Sequence, residues 1–286
     1  MGKQIESQWK ITGPAAGAKY LYHFLILKKT PFLYKLTTMG YIFEFNDAVA
    51  YERWLRLPKN RFTLDLESRL ITDMLQPANR ETILDIGCGT GSILLFLVNQ
   101  GLQVTGLDPS PYMLDIAQKT AGNRADLHRG YAEDLPFEDN SFHYACLFTT
   151  LEFVNDPQKS IEEACRVTKN KIFIGALNRY AFKGVERRIK GIFARSIYNR
   201  ARFFSIWELR RMVRAAAGNV PVSWKTVSQF PSANGRTIRR LEESSFVHHS
   251  PFGAFIGLAA PLVPRFGTRG LPIEYQAKQT PSAMPG

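Results

Sequence analysis

Cysteine is scarce in this sequence, and so is every pattern that would place it in a structural framework. The 286 residues hold three cysteines with no CxxC pair, and the five histidines show neither H-x3-H nor HExxH spacing. These absences exclude a disulfide-stapled secreted domain and a zinc ribbon, because both need paired side chains at short spacing. They predict a chain without a metal site that is kept in the reducing cytoplasm.

Long apolar runs are also missing. The densest run, Pro251–Pro264, is too short to span a bilayer and contains three prolines. The first residues, Met1–Glu6, have no apolar signal core, and Glu6 stands where an N-myristoylation motif requires Ser or Thr. We therefore expect a cytoplasmic protein whose contact with a membrane, if any, is peripheral.

Charge is plentiful, but its sign is unevenly distributed along the chain. Apolar residues make up 45% and charged residues 22%, which is ordinary for a globular protein and excludes a disordered or fibrous one. The formal net charge of +12 divides into +4 over residues 1–45, −6 over 46–170 and +14 over 171–286. The middle of the chain therefore resembles an ordinary enzyme core, whereas the C-terminal part suits an anionic partner or is a solvated basic face.

Composition and periodicity divide the chain into three parts. We expect an N-terminal aromatic and basic extension over residues 1–45, a globular domain over 46–260, and a Pro- and Gly-rich tail over 261–286. Residues 20–45 hold eight aromatic side chains. Within the domain, residues 180–203 read as a basic amphipathic insertion, in which one apolar helical stripe is surrounded by Lys and Arg.

Short apolar runs alternate with helical patterns through the domain. The helical segments begin at caps such as Ser110, Asp156 and the Ser205–Glu208 capping box. Strands that alternate with helices indicate a parallel sheet covered on both faces, which is the α/β class. The predicted strands are Thr82–Ile86, Gln103–Leu107, Leu127–Gly130, Phe142–Phe148, Lys171–Ala176, Val220–Val227 and Phe252–Leu258.

A glycine-rich turn follows the first predicted strand. The segment Asp85–Gly91 reads DIGCGTG, and its glycines let a ligand approach the backbone without meeting a Cβ atom. Ser92 stands where the dinucleotide fingerprint requires Gly or Ala, and the turn lacks the GK[ST] ending of a P-loop. Asp108 ends the second strand and is placed to accept both ribose hydroxyls of an adenosine-containing ligand. After the third strand, Ala132–Phe137 offers a carboxylate beside an apolar wall, which suits an adenine ring.

These three motifs, in this order, resemble the class I S-adenosylmethionine-dependent methyltransferases, in the branch known as methyltransferase type 11. The residues concerned are LDIGCGTG, the acid after the second strand, and AEDLPFEDNSF; the resemblance is strong over about residues 80–177 and looser over 46–79. It implies a Rossmann-like fold with a largely parallel seven-stranded sheet, helices on both faces, and an insertion after strand five. It also implies S-adenosyl-L-methionine as cofactor and S-adenosyl-L-homocysteine as product.

The resemblance also implies which residues contact the cofactor. Asp85 and the turn Gly87–Gly91 would hold the methionine part, Asp108 the ribose hydroxyls, and Asp134 the adenine amino group. Two threonines at the end of strand four would lie beside the sulfonium. The expected cofactor contacts are Tyr51, Asp85, Gly87, Cys88, Gly89, Gly91, Asp108, Pro109, Met113, Glu133, Asp134, Leu135, Thr149 and Thr150.

Catalytic residues are less strongly indicated. Methyl transfer from a sulfonium depends mainly on alignment, because the donor is already activated, and a general base is needed only for a hydroxyl or an acidic carbon. Ligands of this fold class lie beyond the carboxyl ends of the parallel strands. The candidates expected at that edge are Glu152, Asn178, Tyr180, His248 and His249. For each of them, a role in packing or at the surface is the alternative interpretation.

The sequence leaves three hypotheses about the methyl acceptor open. The first is an enzyme that methylates a small apolar or anionic acceptor, lipid- or quinone-like, with residues 20–45 and 183–202 in peripheral contact with a membrane surface. The second is an RNA methyltransferase whose basic C-terminal half follows phosphates, which the lack of an RNP-type or KH-type motif disfavours. The third is a cofactor-binding partner subunit without transfer activity.

Overall fold

The computed structural model describes residues 40–181, 201–227 and 250–263. Several predictions lie outside the described residues: the extension up to residue 39, the insertion over 182–200, His248, His249, and the tail from residue 264. The structural findings below concern the three described ranges.

Helices and strands alternate along the described chain as the sequence predicts. The elements in chain order are α1 (Phe45–Leu55), α2 (Pro58–Leu75), β1 (Thr82–Ile86), α3 (Ser92–Asn99), β2 (Gln103–Asp108), α4 (Pro111–Ala121), β3 (Ala125–Arg129), β4 (Phe142–Phe148), α5 (Pro157–Val167), β5 (Thr168–Leu177), α6 (Ile206–Ala217), β6 (Ser223–Val227) and β7 (Phe255–Pro261). In these ranges no helix is long and apolar enough to cross a membrane.

The seven strands form one sheet in the order β3-β2-β1-β4-β5-β7-β6. Every neighbouring pair is parallel except for β7, which runs antiparallel to both β5 and β6. In the centre of the sheet, Asp85 of β1 stands between Gly106 of β2 and Cys146 of β4. The predicted Rossmann-like architecture is therefore confirmed, and the carboxyl ends of β1, β2 and β4 meet at one edge.

Alternate residues of the strands point to two separate cores. On one face, the sheet packs against α5 and α6 through side chains such as Ile161 and Leu209. On the other face, it packs against α2, α3 and α4 through side chains such as Ile71 and Leu94. Parallel strands buried on both faces explain the nearly continuous apolar runs of the sequence.

Four of the seven strands begin at residues other than those predicted, and hydrogen bonds in the neighbouring loops explain the later starts of β6 and β7. β6 begins at Ser223, since the amide of Val220 is already bonded to the Gly218 carbonyl in a turn. β7 begins at Phe255, because the carbonyls of Pro251 and Gly253 accept hydrogen bonds from a side chain instead of joining the ladder. β3 and β5 begin slightly earlier than predicted.

The helix caps mostly follow the sequence. Ser110 caps α4 by accepting a hydrogen bond from the Met113 amide, and Asp156 caps α5 in the same way. The capping box predicted at Ser205–Glu208 is only half formed. Ser205 accepts from the Glu208 amide, but the Glu208 carboxylate binds Arg179 and Arg202 instead of returning to the cap.

Candidate active site

A cavity opens at the carboxyl edge of the sheet, where β1, β2 and β4 end. The turn after β1, the loop after β3, the residues after β4 and a segment before α1 enclose it. Its lining includes Gly40, Tyr41, Ile42, Phe43, Tyr51, Leu64, Asp85, Gly87, Cys88, Gly89, Thr90, Ser92, Ile93, Leu107, Asp108, Pro109, Met113, Tyr131, Ala132, Glu133, Phe148, Thr149, Thr150, Phe153 and Val154. Most of the expected cofactor contacts are therefore brought together in one place.

The turn after β1 is shaped for close approach of a ligand. The amides of Gly87 and Cys88 both donate to the Leu107 carbonyl, at 2.7 and 3.0 Å, which bends the chain sharply. Gly87 has a φ of +75°, and a Cβ there would lie 2.5 Å from the Thr150 side chain, so no other residue fits. Gly91 does not line the cavity; it caps α3 and packs against Ala117 of α4.

Asp85 is the most unusual group in the cavity. Asp85 is 1% exposed, and neither of its carboxylate oxygens has a hydrogen-bond partner among the residues that the structure describes. Burial, together with the charge of Asp108, raises the pKa of Asp85 to about 7. A buried carboxylate without partners is costly, which points to a cationic or hydrogen-bonding ligand that would satisfy it.

Asp108 is held more firmly than Asp85. One carboxylate oxygen accepts from the Gly89 amide at 3.0 Å and the other from the Ser110 amide at 2.9 Å. Burial raises the pKa of Asp108 to about 6, and these two hydrogen bonds oppose that rise. Each oxygen keeps a further lone pair, so the fixed carboxylate can accept two hydroxyl groups.

Two hydroxyl groups complete the polar wall. The Thr150 hydroxyl donates to the Ile86 carbonyl at 2.7 Å, which ties the end of β4 to the end of β1. Thr149 has a φ of +51° and donates from its amide to the Gly175 carbonyl at 2.8 Å. Thr90 lies within the predicted Gly87–Gly91 turn but is absent from the expected individual contacts. It also lines the cavity, and its buried hydroxyl has no partner among the described residues. Its position inside the glycine-rich turn was the sequence feature that could have identified it as a cavity residue.

The loop after β3 differs from expectation in which residues face the cavity. Tyr131, Ala132 and Glu133 line it, whereas Asp134 is exposed and Leu135 is buried elsewhere, 4% exposed. The contacts expected from Asp134 and Leu135 are thus absent from the described lining. The physical reason is local pairing: the Asp134 amide donates to the Tyr131 carbonyl and closes a tight turn.

A clamp on α5 fixes this loop from behind. Glu163 accepts from the Leu135 amide at 3.1 Å, while Arg166 donates to the carbonyls of Leu135 and Phe137 at 3.0 and 2.8 Å. Arg166 and Glu163 also form an ion pair at 2.7 Å. Burial raises the pKa of Glu163, but its bonds to Arg166 and Leu135 outweigh that effect and lower it overall. Sequence reasoning missed this clamp, because no local pattern relates α5 to the loop.

An aromatic segment in front of α1, Gly40–Phe43, covers the cavity; we call it the strap. The Tyr41 amide donates to the Phe153 carbonyl at 2.7 Å, and a Cβ at Gly40 would collide with the Phe153 backbone. Phe43 contacts the rings of Tyr41, Tyr51 and Phe153 at centroid distances of 5.2, 6.4 and 5.0 Å. The high aromatic content of residues 20–45 was the only sequence signal for this wall.

The three catalytic candidates that the structure describes, Glu152, Asn178 and Tyr180, are not among the residues that line the cavity. Glu152 is 2% exposed, and one of its oxygens accepts from the Leu177 amide at 2.6 Å, while burial raises its pKa to about 8. Asn178 is a structural clamp: its side-chain nitrogen donates to the Pro251 and Gly253 carbonyls, and its oxygen accepts from the Tyr180 amide. Chain order places Glu152 and Asn178 just after β4 and β5, but it does not predict the directions of their side chains.

Charge in the cavity has one sign. The carboxylates of Asp85, Asp108 and Glu133 line it, and the described lining contains no Lys, Arg or His. Burial raises the pKa of the Cys88 thiol well above its usual range, so this cysteine remains neutral and unreactive. A cationic ligand with ribose-like hydroxyls and an apolar ring fits these walls, whereas an anion does not.

Comparison with known proteins agrees with the geometry. The family described as methyltransferase domain matches residues 84–174. A solved S-adenosylmethionine-dependent methyltransferase of Thermotoga maritima, described as a possible histamine N-methyltransferase, is 30% identical, with 76% of this chain and 96% of that chain covered and a TM-score of 0.59.

Two curated relatives are quinone-related. A ubiquinone biosynthesis O-methyltransferase of Nitrosomonas europaea is 29% identical over 53% of this chain and 69% of its own length. A demethylmenaquinone methyltransferase of Renibacterium salmoninarum is 36% identical over 35% of this chain and 42% of its own length. The chain spans less than two thirds of the length of several other curated relatives that it matches. The sheet, the glycine turn and the nearly complete match to the Thermotoga protein together show that the chain belongs to the class I S-adenosylmethionine-dependent methyltransferases.

Proposed function

We propose that this chain binds S-adenosylmethionine in the cavity and transfers its methyl group to a small, apolar, quinone-like acceptor, releasing S-adenosylhomocysteine. The observation that carries the cofactor part is Asp85, whose buried carboxylate faces the cavity without a partner. The cofactor supplies an ammonium group and a sulfonium, both of which compensate such a carboxylate.

The remaining walls suit the other parts of the cofactor. Asp108, fixed by two amides, would accept the ribose hydroxyls, and the glycine turn leaves room for the methionine chain. Met113 is buried at the start of α4 and would pack against the adenine ring. Glu133, which lines the cavity where Asp134 does not, is the better-placed carboxylate for the adenine amino group.

Methyl transfer would depend mainly on the alignment of the acceptor atom with the methyl group and the sulfur. The acceptor atom forms a bond to the methyl carbon as the carbon–sulfur bond breaks, and the electron pair of that bond returns to sulfur. An acceptor hydroxyl or ring carbon would also lose a proton, which would pass to the bulk solvent. Thr149 and Thr150 fix the wall at the end of β4, and the aromatic strap excludes water from the approach path. Because Glu152 lies outside the lining, we do not assign it as the base.

The acceptor class follows from the aromatic wall and from the charge. Tyr41, Phe43 and Phe153 present flat apolar surfaces, which suit a ring system. Three carboxylates and no described cation in the lining disfavour the anionic acceptor that the sequence left open. The quinone-related activities named for two relatives support the apolar alternative.

Label transfer from methyl-tritiated S-adenosylmethionine tests this proposal. The acceptors are an isoprenoid naphthoquinol, a carboxylated analogue of the same ring, and bulk tRNA. We expect label in the apolar quinol, none in the carboxylated analogue, and none from Asp85→Asn, with Asp126→Asn on the exposed part of β3 as a control. Label in tRNA would favour an RNA methyltransferase, and cofactor binding without transfer to any acceptor would favour a partner subunit.

A further inference from the structure

Three large aromatic side chains are exposed near the edge of the sheet where β5 ends and the antiparallel β7 begins. Tyr180 is 51% exposed, Trp207 59% and Phe252 62%. None of the three lines the cavity described above. Exposed rings of this size are unusual on a soluble surface when they lie together, and such groups mark interaction sites.

Buried hydrogen bonds hold these rings in place. Asn178, which is 1% exposed, binds the carbonyls on both sides of Phe252 and accepts from the amide of Tyr180. The rings of Tyr180 and Trp207 meet edge to face, with centroids 5.8 Å apart. The fold thus preorganises the aromatic surface, and Asn178 is the residue whose hydrogen bonds hold it.

Arginines border the same rings. Arg179 and Arg202 both bind Glu208 at 2.8 Å, so two cations share one anion. Arg211 and Arg214 follow Trp207 at helical spacings of four and seven along the exposed face of α6, and the described residues offer neither of them a salt bridge. Together, Tyr180, Trp207, Phe252, Arg211 and Arg214 form what we call the aromatic–arginine patch.

We propose that the aromatic–arginine patch docks on the surface of an anionic bilayer. Trp and Tyr rings favour the headgroup level of a membrane, Phe enters the acyl boundary, and arginines bind lipid phosphates. Two arginines that form no salt bridge with the described residues, beside three rings, match this chemistry better than a nucleic acid does, because a nucleic acid needs a longer basic track to gain its affinity. Tyr180 follows β5 and Phe252 precedes the antiparallel β7, so these two rings of the patch lie at the same sheet edge as the cavity. Docking would therefore bring the cavity mouth near apolar acceptors; only this last statement rests on the proposed function.

Vesicle co-sedimentation of the full chain tests the docking. The vesicles are phosphatidylcholine alone and phosphatidylcholine with one quarter phosphatidylglycerol. The variants are Trp207→Ala and the double variant Arg211→Gln/Arg214→Gln, and the control is Arg61→Gln/Lys119→Gln, which removes the same charge from other exposed sites. Each arginine is expected to contribute about fivefold to binding of the anionic vesicles.

The expected result is that wild type and control bind anionic vesicles equally, while the arginine variant binds more than tenfold more weakly and Trp207→Ala also loses binding. Unchanged binding of both patch variants, or no binding of wild type to either vesicle, overturns the proposal. Loss of salt-sensitive tRNA binding with unchanged vesicle binding would assign the patch to nucleic acid and also overturn it. Titration with S-adenosylhomocysteine is measured in parallel, because failure of the cofactor proposal would abolish that binding in wild type, whereas failure of docking would not.

Discussion

The Ser110 hydroxyl donates a hydrogen bond to the Phe43 carbonyl at 2.6 Å, across 67 positions of the chain. The amide of the same serine donates to the Asp108 carboxylate at 2.9 Å. One buried residue therefore connects the strap to the carboxylate assigned to the ribose. We therefore expect the position of the strap and the orientation of Asp108 to be coupled through Ser110.

Replacing Ser110 with Ala should weaken both the fold and cofactor retention. The variant loses the α4 cap and the bond to Phe43, so we expect a loss of about 1 kcal/mol in the free energy of unfolding and a faster dissociation of S-adenosylhomocysteine. The matched control is Ser205→Ala, which removes the α6 cap away from the cavity. Stopped-flow dissociation separates the two variants; equal dissociation rates would mean that the strap is not coupled to the cofactor.

The clamp on α5 should act on cofactor affinity without touching the cofactor. Arg166→Met removes the donors that hold the Leu135 and Phe137 carbonyls, so the loop carrying Glu133 is released. We expect S-adenosylhomocysteine to bind about tenfold more weakly, which corresponds to about 1.4 kcal/mol. Lys159→Met is the control, since it removes the other, half-exposed cation beside Glu163 at 3.5 Å. An affinity loss of equal size in both variants contradicts the positioning role.

The buried carboxylate of Asp85 should lower the free energy of unfolding of the ligand-free protein at high pH. Its pKa is about 7 in the fold, well above the ordinary value of 3.8, so the native state binds a proton that the unfolded chain has lost. The resulting stabilisation is present below about pH 4 and is lost as the pH rises through 7. Asp85→Asn should therefore equal wild type near pH 4 and be more stable at pH 8, by a few kcal/mol. Urea unfolding at the two pH values measures this; a less stable variant at pH 8 contradicts it.

Cofactor binding should show the opposite preference for pH. The ammonium group favours ionised Asp85, so binding expels the proton and tightens as the pH rises from 6 to 8. Calorimetry in buffers of different ionisation enthalpy counts the released proton. Asp85→Asn should bind weakly and keep only the pH dependence near pH 6 that Asp108, with its pKa of about 6, contributes. Proton release between pH 7 and 8 that persists in the variant would assign it to a group other than Asp85.

The sequence predicted the parts of this site that depend on local pattern. The glycine turn comes directly after the buried strand β1, and Asp108 is the last residue of the buried strand β2. Because the two strands are parallel, both features reach the same edge of the sheet. The choice of Glu133 over Asp134 depends on a tight turn, and the clamp joins Arg166 to a loop about thirty positions away. Neither relationship leaves a periodic signal, and the same is true of the side-chain directions of Glu152 and Asn178.

Calorimetric titration with S-adenosylhomocysteine tests the central claim, that this cavity is the cofactor site and Asp108 its ribose acceptor. Wild type should bind one equivalent, and Asp108→Ala should bind at least about tenfold more weakly, because hydrogen bonds to a charged group contribute about 1.5–3 kcal/mol each. Asp126→Ala, which removes an exposed carboxylate from the neighbouring strand, should bind like wild type. Equal affinity of wild type and a folded Asp108→Ala variant, or no binding to wild type, would contradict the account.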